Sequence, residues 1–172
     1  MTNHTYFNLS GHDSGSIENT KLMINASNYT PVVEGAIPTG KIESVKGTVM
    51  DFTTAKTIGQ DIGADFEQLK LVQGYDHNYV VDGYDKSSRL IATAECDGRK
   101  MEVFSDLPGV QFYAGNFIAP QDGKDGAKYD VRDGLCLETQ FFPDSINQPA
   151  FPSCVFGPGK DYDSITVYAF KY

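Results

Sequence analysis

The sequence contains no tryptophan and only three arginines among its 172 residues. Lysine and arginine together number 14 against 23 acidic residues, which gives a net charge of −9. Nucleic-acid binding depends on clustered Lys and Arg side chains that neutralise phosphates, so we expect no nucleic-acid partner. The same shortage of positive charge disfavours a polyanionic ligand, whereas a neutral small molecule is compatible with it.

Long hydrophobic runs are also missing. No apolar stretch approaches the roughly 20 residues that a membrane helix needs. The first residues, Met1-Thr-Asn-His, lack the basic and apolar regions of a secretory signal. The three cysteines, Cys96, Cys136 and Cys154, are odd in number and form no CxxC pair, which is typical of free thiols in a reducing compartment. We therefore predict a cytoplasmic protein with no membrane partner.

Motifs for a bound cofactor or metal are absent as well. The three histidines, His4, His12 and His77, have neither H-x3-H nor HExxH spacing. The chain has no G-x-G-x-x-G before a helix, no phosphate-binding G-x-x-x-x-G-K-[ST] and no G-x-S-x-G nucleophile turn. We expect neither a metal nor an organic cofactor.

The chain does have a clear period of two. Apolar, β-branched and aromatic residues alternate with polar ones in short runs such as 100–106, and clusters of Gly, Pro, Asp and Asn separate these runs. Asp97-Gly98 between two such runs predicts a tight hairpin. Residues 58–71 partly fit a helical stripe and predict one or two short helical turns. The pattern indicates an all-β fold, an antiparallel sandwich or barrel, in which residues 1–172 form a single domain or part-domain.

Two polar segments near predicted strands could contribute chemistry. An extended chain at the amino end places His4, Tyr6 and Asn8 on one face, although a lone histidine near a terminus is more often a surface residue. Further along, Asp76 and Asn78 would share one face of a strand. The alternative there is a turn closed by the Asp side chain onto its own backbone.

Two further segments carry polar residues between apolar ones. In a strand over 135–140, Glu138 shares a face with Cys136 and Gln140. A carboxylate enclosed in this way tends to have a raised pKa, which suits proton transfer, whereas a glutamate on a solvated strand face is the alternative. Gln111 and Tyr113 also share a face, and an amide beside a ring suits either sugar binding or an exposed strand.

These four segments, in this order, resemble the aldose 1-epimerase (galactose mutarotase) family. The matching stretches are 3–9 (NHTYFNL), 74–79 (GYDHNY), 108–116 (PGVQFYAGN) and 137–140 (LETQ), the last followed by 142–145 (FPDS) and Asn147. The resemblance implies an antiparallel β-sandwich of the galactose-mutarotase type. It also implies an isomerase that interconverts the α and β anomers of free hexoses such as galactose or glucose, in the cytoplasm and without a cofactor.

The resemblance also implies residue roles. His4 matches the family's proton donor to the ring oxygen, and Glu138 matches the base that takes the proton of the anomeric hydroxyl. Asp76 matches a carboxylate that holds sugar hydroxyls, and Tyr6 and Gln111 match further sugar contacts. The main alternative is a non-catalytic carbohydrate-binding β-sandwich module. A glycoside hydrolase that uses Asp76 and Glu138 as its carboxylate pair is a third hypothesis.

The sequence departs from the family in length. Family members are about twice as long, Met1 matches an internal position, and their upstream half supplies an arginine and a histidine to the sugar site. We therefore expect a carboxy-terminal portion of a longer protein, with an incomplete sandwich and impaired activity. Missing strand partners expose sheet edges, so we also expect self-association or pairing with an amino-terminal half.

Overall fold

The computed structural model describes residues 1–172, and its regular elements are almost all β-strands. The strands are β1 (Lys21–Ile24), β2 (Asn28–Tyr29), β3 (Val32–Val33), β4 (Ile37–Pro38), β5 (Glu43–Ser44), β6 (Lys56–Thr57), β7 (Asp76–Val80), β8 (Arg89–Cys96), β9 (Arg99–Ser105), β10 (Gly109–Tyr113), β11 (Gln121–Asp122), β12 (Lys128–Tyr129), β13 (Cys136–Gln140) and β14 (Thr166–Lys171). The single α-helix is α1 (Glu67–Leu71), and 3₁₀ turns span Ile17–Asn19, Ile58–Gln60 and Lys124–Gly126.

Two five-stranded sheets form the body of the molecule, and all strand pairs in them are antiparallel. The first sheet has the order β14-β9-β8-β1-β6, and the second has the order β13-β10-β7-β2-β5. The pairs β3-β4 and β11-β12 form separate two-stranded sheets. Strands distant in the chain therefore become neighbours, since β13 lies beside β10 and β14 lies beside β9.

Both sheets contribute to one hydrophobic core of 25 buried residues. Ile24 and Ala94 come from the first sheet, whereas Tyr79 and Phe112 come from the second. Phe52, from a loop, packs edge-on against Phe112 at 5.5 Å and against Tyr79 at 6.3 Å between ring centroids. Because each sheet buries one face against the other, the architecture is the antiparallel β-sandwich that the sequence predicts.

The predicted local elements are present. Asp97 and Gly98 form the two-residue turn between β8 and β9, where Cys96 pairs with Arg99. Their φ angles of 48° and 74° put both turn residues in the left-handed region, as a type I′ turn requires. The short helical turns predicted for residues 58–71 are the second 3₁₀ turn and α1.

The amino-terminal strap, which we define as residues 2–7, lies along the outer edge of β13. Phe7 and Leu135 exchange backbone hydrogen bonds of 2.8 and 2.9 Å, and the Thr2 hydroxyl donates to the carbonyl of Thr139 at 2.9 Å. This antiparallel contact pairs residue 7 with residue 135, so counting back along both segments brings residue 4 opposite residue 138. The fold thereby brings the amino end of the chain to a strand near its carboxy end.

The first sheet ends in a strand with exposed apolar side chains. β14 is the last strand of its sheet, and its residues Val167 and Phe170 are 44% and 50% exposed. Apolar side chains along an unpaired strand edge favour association with another chain. The self-association or pairing expected from the sequence stays a prediction, as does the assignment of residues 1–172 to one domain or part-domain.

The helical content is small, and none of the helices has the length and apolar character needed to cross a membrane. All three cysteines are free thiols. The cytoplasmic location stays a prediction.

The turn between β8 and β9 provides a test of the fold. Gly98→Ala should lower the free energy of unfolding by about 1 kcal/mol, because a residue with a Cβ is strained at a φ of 74°. No atom lies within 4 Å of the added Cβ, so the substitution tests backbone strain alone. Gly63→Ala is the matched control, because Gly63 has similar open space without a positive φ and should keep or gain stability. Equal stability of the two variants in urea denaturation would contradict the type I′ turn.

Candidate active site

The candidate site lies on the face of the second sheet that points away from the core. Strands β7, β10 and β13 run side by side there, with β10 in the middle. Their register aligns three rows of residues on this face, namely Asp76–Tyr113–Cys136, Asn78–Gln111–Glu138 and Val80–Gly109–Gln140. Directly paired residues of antiparallel strands share a face, so the faces predicted from the period of two are confirmed.

His4 and Glu138 meet at this face although 133 residues separate them in the chain. His4 Nε2 lies 3.4 Å from Glu138 Oε1, and His4 Nδ1 lies 3.4 Å from the Sγ atom of Cys136. The side chain of His4 is 52% exposed, whereas that of Glu138 is 10% exposed. The imidazole therefore stands at the mouth of the site and the carboxyl at its floor.

The environment of Glu138 changes its proton affinity. Burial raises the pKa of this carboxyl to about 7, because the charged form loses hydration. The adjacent His4 lowers the pKa and the charge of Asp76 raises it, and both effects are smaller than that of burial. A carboxyl with a pKa near neutrality can both accept and return a proton at physiological pH.

A chain of side-chain amides fixes the orientation of Asp76. Gln111 Nε2 donates to Asp76 Oδ1 at 2.8 Å, and Gln140 Nε2 donates to Gln111 Oε1 at 3.1 Å and to Asn78 Oδ1 at 3.2 Å. Because the carboxylate takes the amide hydrogen of Gln111, the oxygen of Gln111 must accept from Gln140. Burial raises the pKa of Asp76, whereas the bond from Gln111 and the charge of His4 lower it.

Two glycines make room for this arrangement. A Cβ at Gly109 would lie 2.5 Å from Asn78 Oδ1, so only glycine leaves space for the amide chain at that point of β10. Gly74, at a φ of 143°, lies against the side chain of Asn116, whose Nδ2 donates to the carbonyl of Tyr75 at 2.9 Å. Asn116 thus holds the turn that leads into β7 and its first residue.

Aromatic rings form one wall of the site. The ring centroid of His4 lies 5.1 Å from that of Tyr6 and 5.8 Å from that of Tyr113. The centroids of the two tyrosine rings are 6.2 Å apart. The Tyr113 hydroxyl accepts a hydrogen bond of 2.9 Å from the backbone of Phe117, whose own ring is 54% exposed. Burial raises the pKa of Tyr6 to about 12, so its phenol is neutral at physiological pH.

These groups enclose a pocket of about 440 Å³. Its lining residues are His4, Tyr6, Ala36, Asp76, Gln111, Tyr113, Phe117, Glu138, Gln140 and Pro143. Pockets of this size are typical of small-molecule sites. The lining contains no lysine or arginine, so the pocket is acidic and suits a neutral ligand rich in hydroxyl groups.

A larger hollow of about 640 Å³ adjoins the pocket and shares Tyr6 and Phe117 with it. In this hollow His12 Nδ1 lies 3.0 Å from the hydroxyl of Tyr129. Neither Asp76 nor Glu138 lines it. Only the smaller pocket therefore places a histidine, His4, beside the buried carboxyl of Glu138.

One cluster in the pocket could hold a metal ion. Donor atoms of His4, Cys136 and Glu138 lie within 4.8 Å of one another. Burial raises the pKa of the Cys136 thiol far above its usual range, so the thiol is protonated and is a poor metal ligand in that form. The spacing of the three residues in the sequence could not indicate this cluster, because one of them lies on the strap and two on β13. The absence of metal and organic cofactors stays a prediction.

The pocket brings together all five residues singled out from the sequence, His4, Tyr6, Asp76, Gln111 and Glu138. Their individual roles stay predictions.

Two contributors were not assigned from the sequence. The sequence could have indicated Gln140, because in a strand it lies on the same face as Glu138, two residues away. Phe117 follows the end of β10 in an irregular turn, so no periodicity pointed to it.

Comparison with known proteins gives one consistent result. The family model for aldose 1-epimerase matches residues 1–169. The chain is 42% identical to a galactose mutarotase of Bos taurus and 40% identical to an aldose 1-epimerase of Escherichia coli K12, in each case over 99% of its length. Among solved structures, a GalM/aldose epimerase homologue from C. elegans superposes with a TM-score of 0.85 at 28% identity. A galactose 1-epimerase from Lactobacillus acidophilus superposes with a TM-score of 0.75 at 26% identity.

The chain spans about half the length of these relatives. It covers 49% of the bovine protein and 50% of the E. coli protein in sequence. In the superpositions it covers 50% of the C. elegans chain and 48% of the L. acidophilus chain. Each of the four matches includes 99% of its own residues. This share agrees with the length difference expected from the sequence. On the match of the family model, the identity to the relatives and the shared sandwich, the chain belongs to the aldose 1-epimerase family.

Proposed function

We propose that this chain interconverts the α and β anomers of free hexoses, such as galactose or glucose, by general acid–base opening and closing of the sugar ring. The observation that carries the proposal is the 3.4 Å contact between His4 Nε2 and Glu138 Oε1. In a cyclic hexose the anomeric hydroxyl and the ring oxygen are bonded to the same carbon. The group that takes a proton from one oxygen and the group that gives a proton to the other must therefore be neighbours.

The reaction needs two proton transfers in each direction. Glu138 takes the proton of the anomeric hydroxyl while protonated His4 gives its proton to the ring oxygen, so the bond between that oxygen and the anomeric carbon breaks and an aldehyde forms. After rotation about the adjacent carbon–carbon bond, the same steps run backwards on the other face of the carbonyl. Each group of this kind contributes about 10²–10⁴ in rate. The raised pKa of Glu138, about 7, allows it to play both roles.

The rest of the pocket supplies sugar contacts. Asp76 presents a carboxylate oxygen to sugar hydroxyls, and its orientation is fixed by the 2.8 Å bond from Gln111. The exposed ring faces of Tyr6 and Phe117 can pack against the apolar C–H face of a hexose. A neutral ligand also fits the acidic character of the chain, which has a net charge of −9.

The relatives support the class of reaction, because their names are galactose mutarotase and aldose 1-epimerase. They are about twice as long as this chain, so its own activity requires a direct test. Polarimetry with freshly dissolved α-galactose and α-glucose provides that test, with exchange faster than in protein-free buffer as the expected result. Exchange no faster than in buffer would remove the proposal. Heat of galactose binding in calorimetry without faster exchange would favour a carbohydrate-binding module instead.

Replacing the proposed base should slow the reaction. Glu138→Gln should lower the rate of anomer exchange by about 10²–10⁴, because the amide cannot accept the proton. Glu95→Gln makes the same chemical change at an exposed position on β8 and should leave the rate unchanged. Polarimetry under identical conditions measures both variants. A Glu138→Gln protein as fast as its parent would exclude this carboxyl as the base.

The rate should depend on pH through Glu138, which must be ionised to accept a proton. Its raised pKa, about 7, means that the acid limb of the kcat profile should rise as the pH increases from about 5 to about 7. The groups that face it are His4 on the strap, Asp76 on β7 and Cys136 on its own strand. Because the charge of Asp76 raises the pKa of Glu138, Asp76→Asn should move the midpoint of the profile to lower pH. A parent profile that is flat over this range, after subtraction of the spontaneous rate, would contradict the assignment.

The amide chain predicts a separate effect on substrate binding. Gln140→Met should raise KM about fivefold with little change in kcat, because the carboxylate of Asp76 loses its fixed orientation while His4 and Glu138 keep theirs. Gln60→Met is a suitable control, since Gln60 is exposed in a 3₁₀ turn and does not line the pocket. Initial rates over a series of galactose concentrations separate the two constants. An unchanged KM in Gln140→Met would show that the chain of amides does not orient Asp76.

A further inference from the structure

The strap that carries His4 is weakly held by its own backbone. Phe7 makes the backbone bridge at one end, and the Thr2 hydroxyl bonds to β13 at the other. Residues 3–6 between them make no backbone–backbone hydrogen bond. The bridge at Phe7 fixes the register, but a segment without such bonds can move toward or away from β13, so side-chain contacts must define how far His4 stands from Glu138.

One hydroxyl group supplies such a contact. The Tyr168 hydroxyl, from β14 of the other sheet, lies 2.6 Å from Asn3 Oδ1 and 2.7 Å from the carbonyl oxygen of Leu137. Asn3 is the residue immediately before His4, and Leu137 is the residue immediately before Glu138. The phenol has one hydrogen, which these two acceptor oxygens share in a three-centre hydrogen bond, so a single group connects the two backbone segments that carry the proton-transfer pair.

The surroundings of Tyr168 suit a fixed connection. Its ring packs against Phe7 of the strap at 4.9 Å between centroids. Burial raises the pKa of Tyr168 to about 12, so the phenol keeps its proton for hydrogen bonding. Asn3 is held in turn by Thr139, whose Oγ1 accepts from Asn3 Nδ2 at 3.4 Å. Tyr168 does not line the pocket.

We propose that Tyr168 is a positioning residue that sets the distance between His4 and Glu138 by holding the strap against β13. The inference rests on the proposed function, in which His4 is the proton donor and Glu138 the base. It assigns to Tyr168 on β14 the role of aligning these two groups. It explains how a histidine on an irregular segment keeps a defined geometry. It also gives the first sheet a part in a site built on the second.

The test uses Tyr168→Phe in the full chain, which removes the hydroxyl and keeps the ring that packs on Phe7. The expected result is a fall in kcat of about tenfold to a hundredfold, because small misalignments of reacting groups have effects of this size. KM should change by less than about twofold, since Asp76 and Gln111 are untouched. A kcat equal to that of the parent would overturn the proposal.

Tyr79→Phe is the matched control. The Tyr79 hydroxyl also donates to a backbone carbonyl, that of Met50 at 3.1 Å, but it does so in the core and away from the strap. This variant should lose stability and keep the kcat of the parent. A double variant Asn3→Ala with Tyr168→Phe should be no slower than the slower single variant, because both substitutions break one connection. Additive losses would overturn the proposal.

A structural readout separates this inference from the proposed function. The rings of His4 and Tyr113, with centroids 5.8 Å apart, should give an NMR proton–proton contact in the sugar-free parent and in Tyr79→Phe. The contact should weaken or vanish in Tyr168→Phe, and an undiminished contact there would overturn the inference. If the parent itself exchanges anomers no faster than buffer, the proposed function fails and this contact alone decides the role of Tyr168.

Discussion

The antiparallel contact between the strap and β13 is the constraint on which the candidate site depends. Phe7 and Leu135 fix the register, and the same register brings His4 opposite Glu138. A slip of one residue would turn His4 to the other face of the strap, because successive side chains of an extended segment alternate. The ring of Phe7 on that other face packs against Tyr168, so a slip would also expose an apolar side chain. Core packing and site geometry therefore favour the same register.

The site also concentrates acidic groups where water is scarce. Burial raises the pKa of both Asp76 and Glu138, and no lysine or arginine lines the pocket to neutralise them. The pocket compensates with neutral donors, since Gln111 and Gln140 bond in sequence toward Asp76. Amides leave the carboxylate able to bind hydroxyl groups, whereas a lysine or arginine would occupy it with an ion pair. Glu138 has only the adjacent imidazole as a cationic partner, and its effect is smaller than that of burial, which raises the pKa of the carboxyl to about 7.

Much of this arrangement could be predicted from the sequence, because strand periodicity is local. Alternation alone assigned Asp76, Gln111 and Glu138 to polar strand faces, and Asp97-Gly98 identified a hairpin. The resemblance to the family then assigned roles that alternation could not. The order of β13, β10 and β7 in the sheet was beyond local reasoning, because it depends on pairings between distant segments. For the same reason the contacts of Tyr168 with the strap had no indication in the sequence, since a tyrosine in a strand is ordinary.

The strap is built from the first residues of the chain and its partners from the last third. The contacts that form the site therefore join residues that are far apart in the sequence. During synthesis His4 leaves the ribosome long before Glu138 on β13 and before Tyr168 on β14, so the histidine has no partner while most of the chain is made. The acid–base pair can therefore assemble only as a late event of folding. A ribosomal product that ends between β13 and β14 would carry both residues of the pair without the strand that joins their segments.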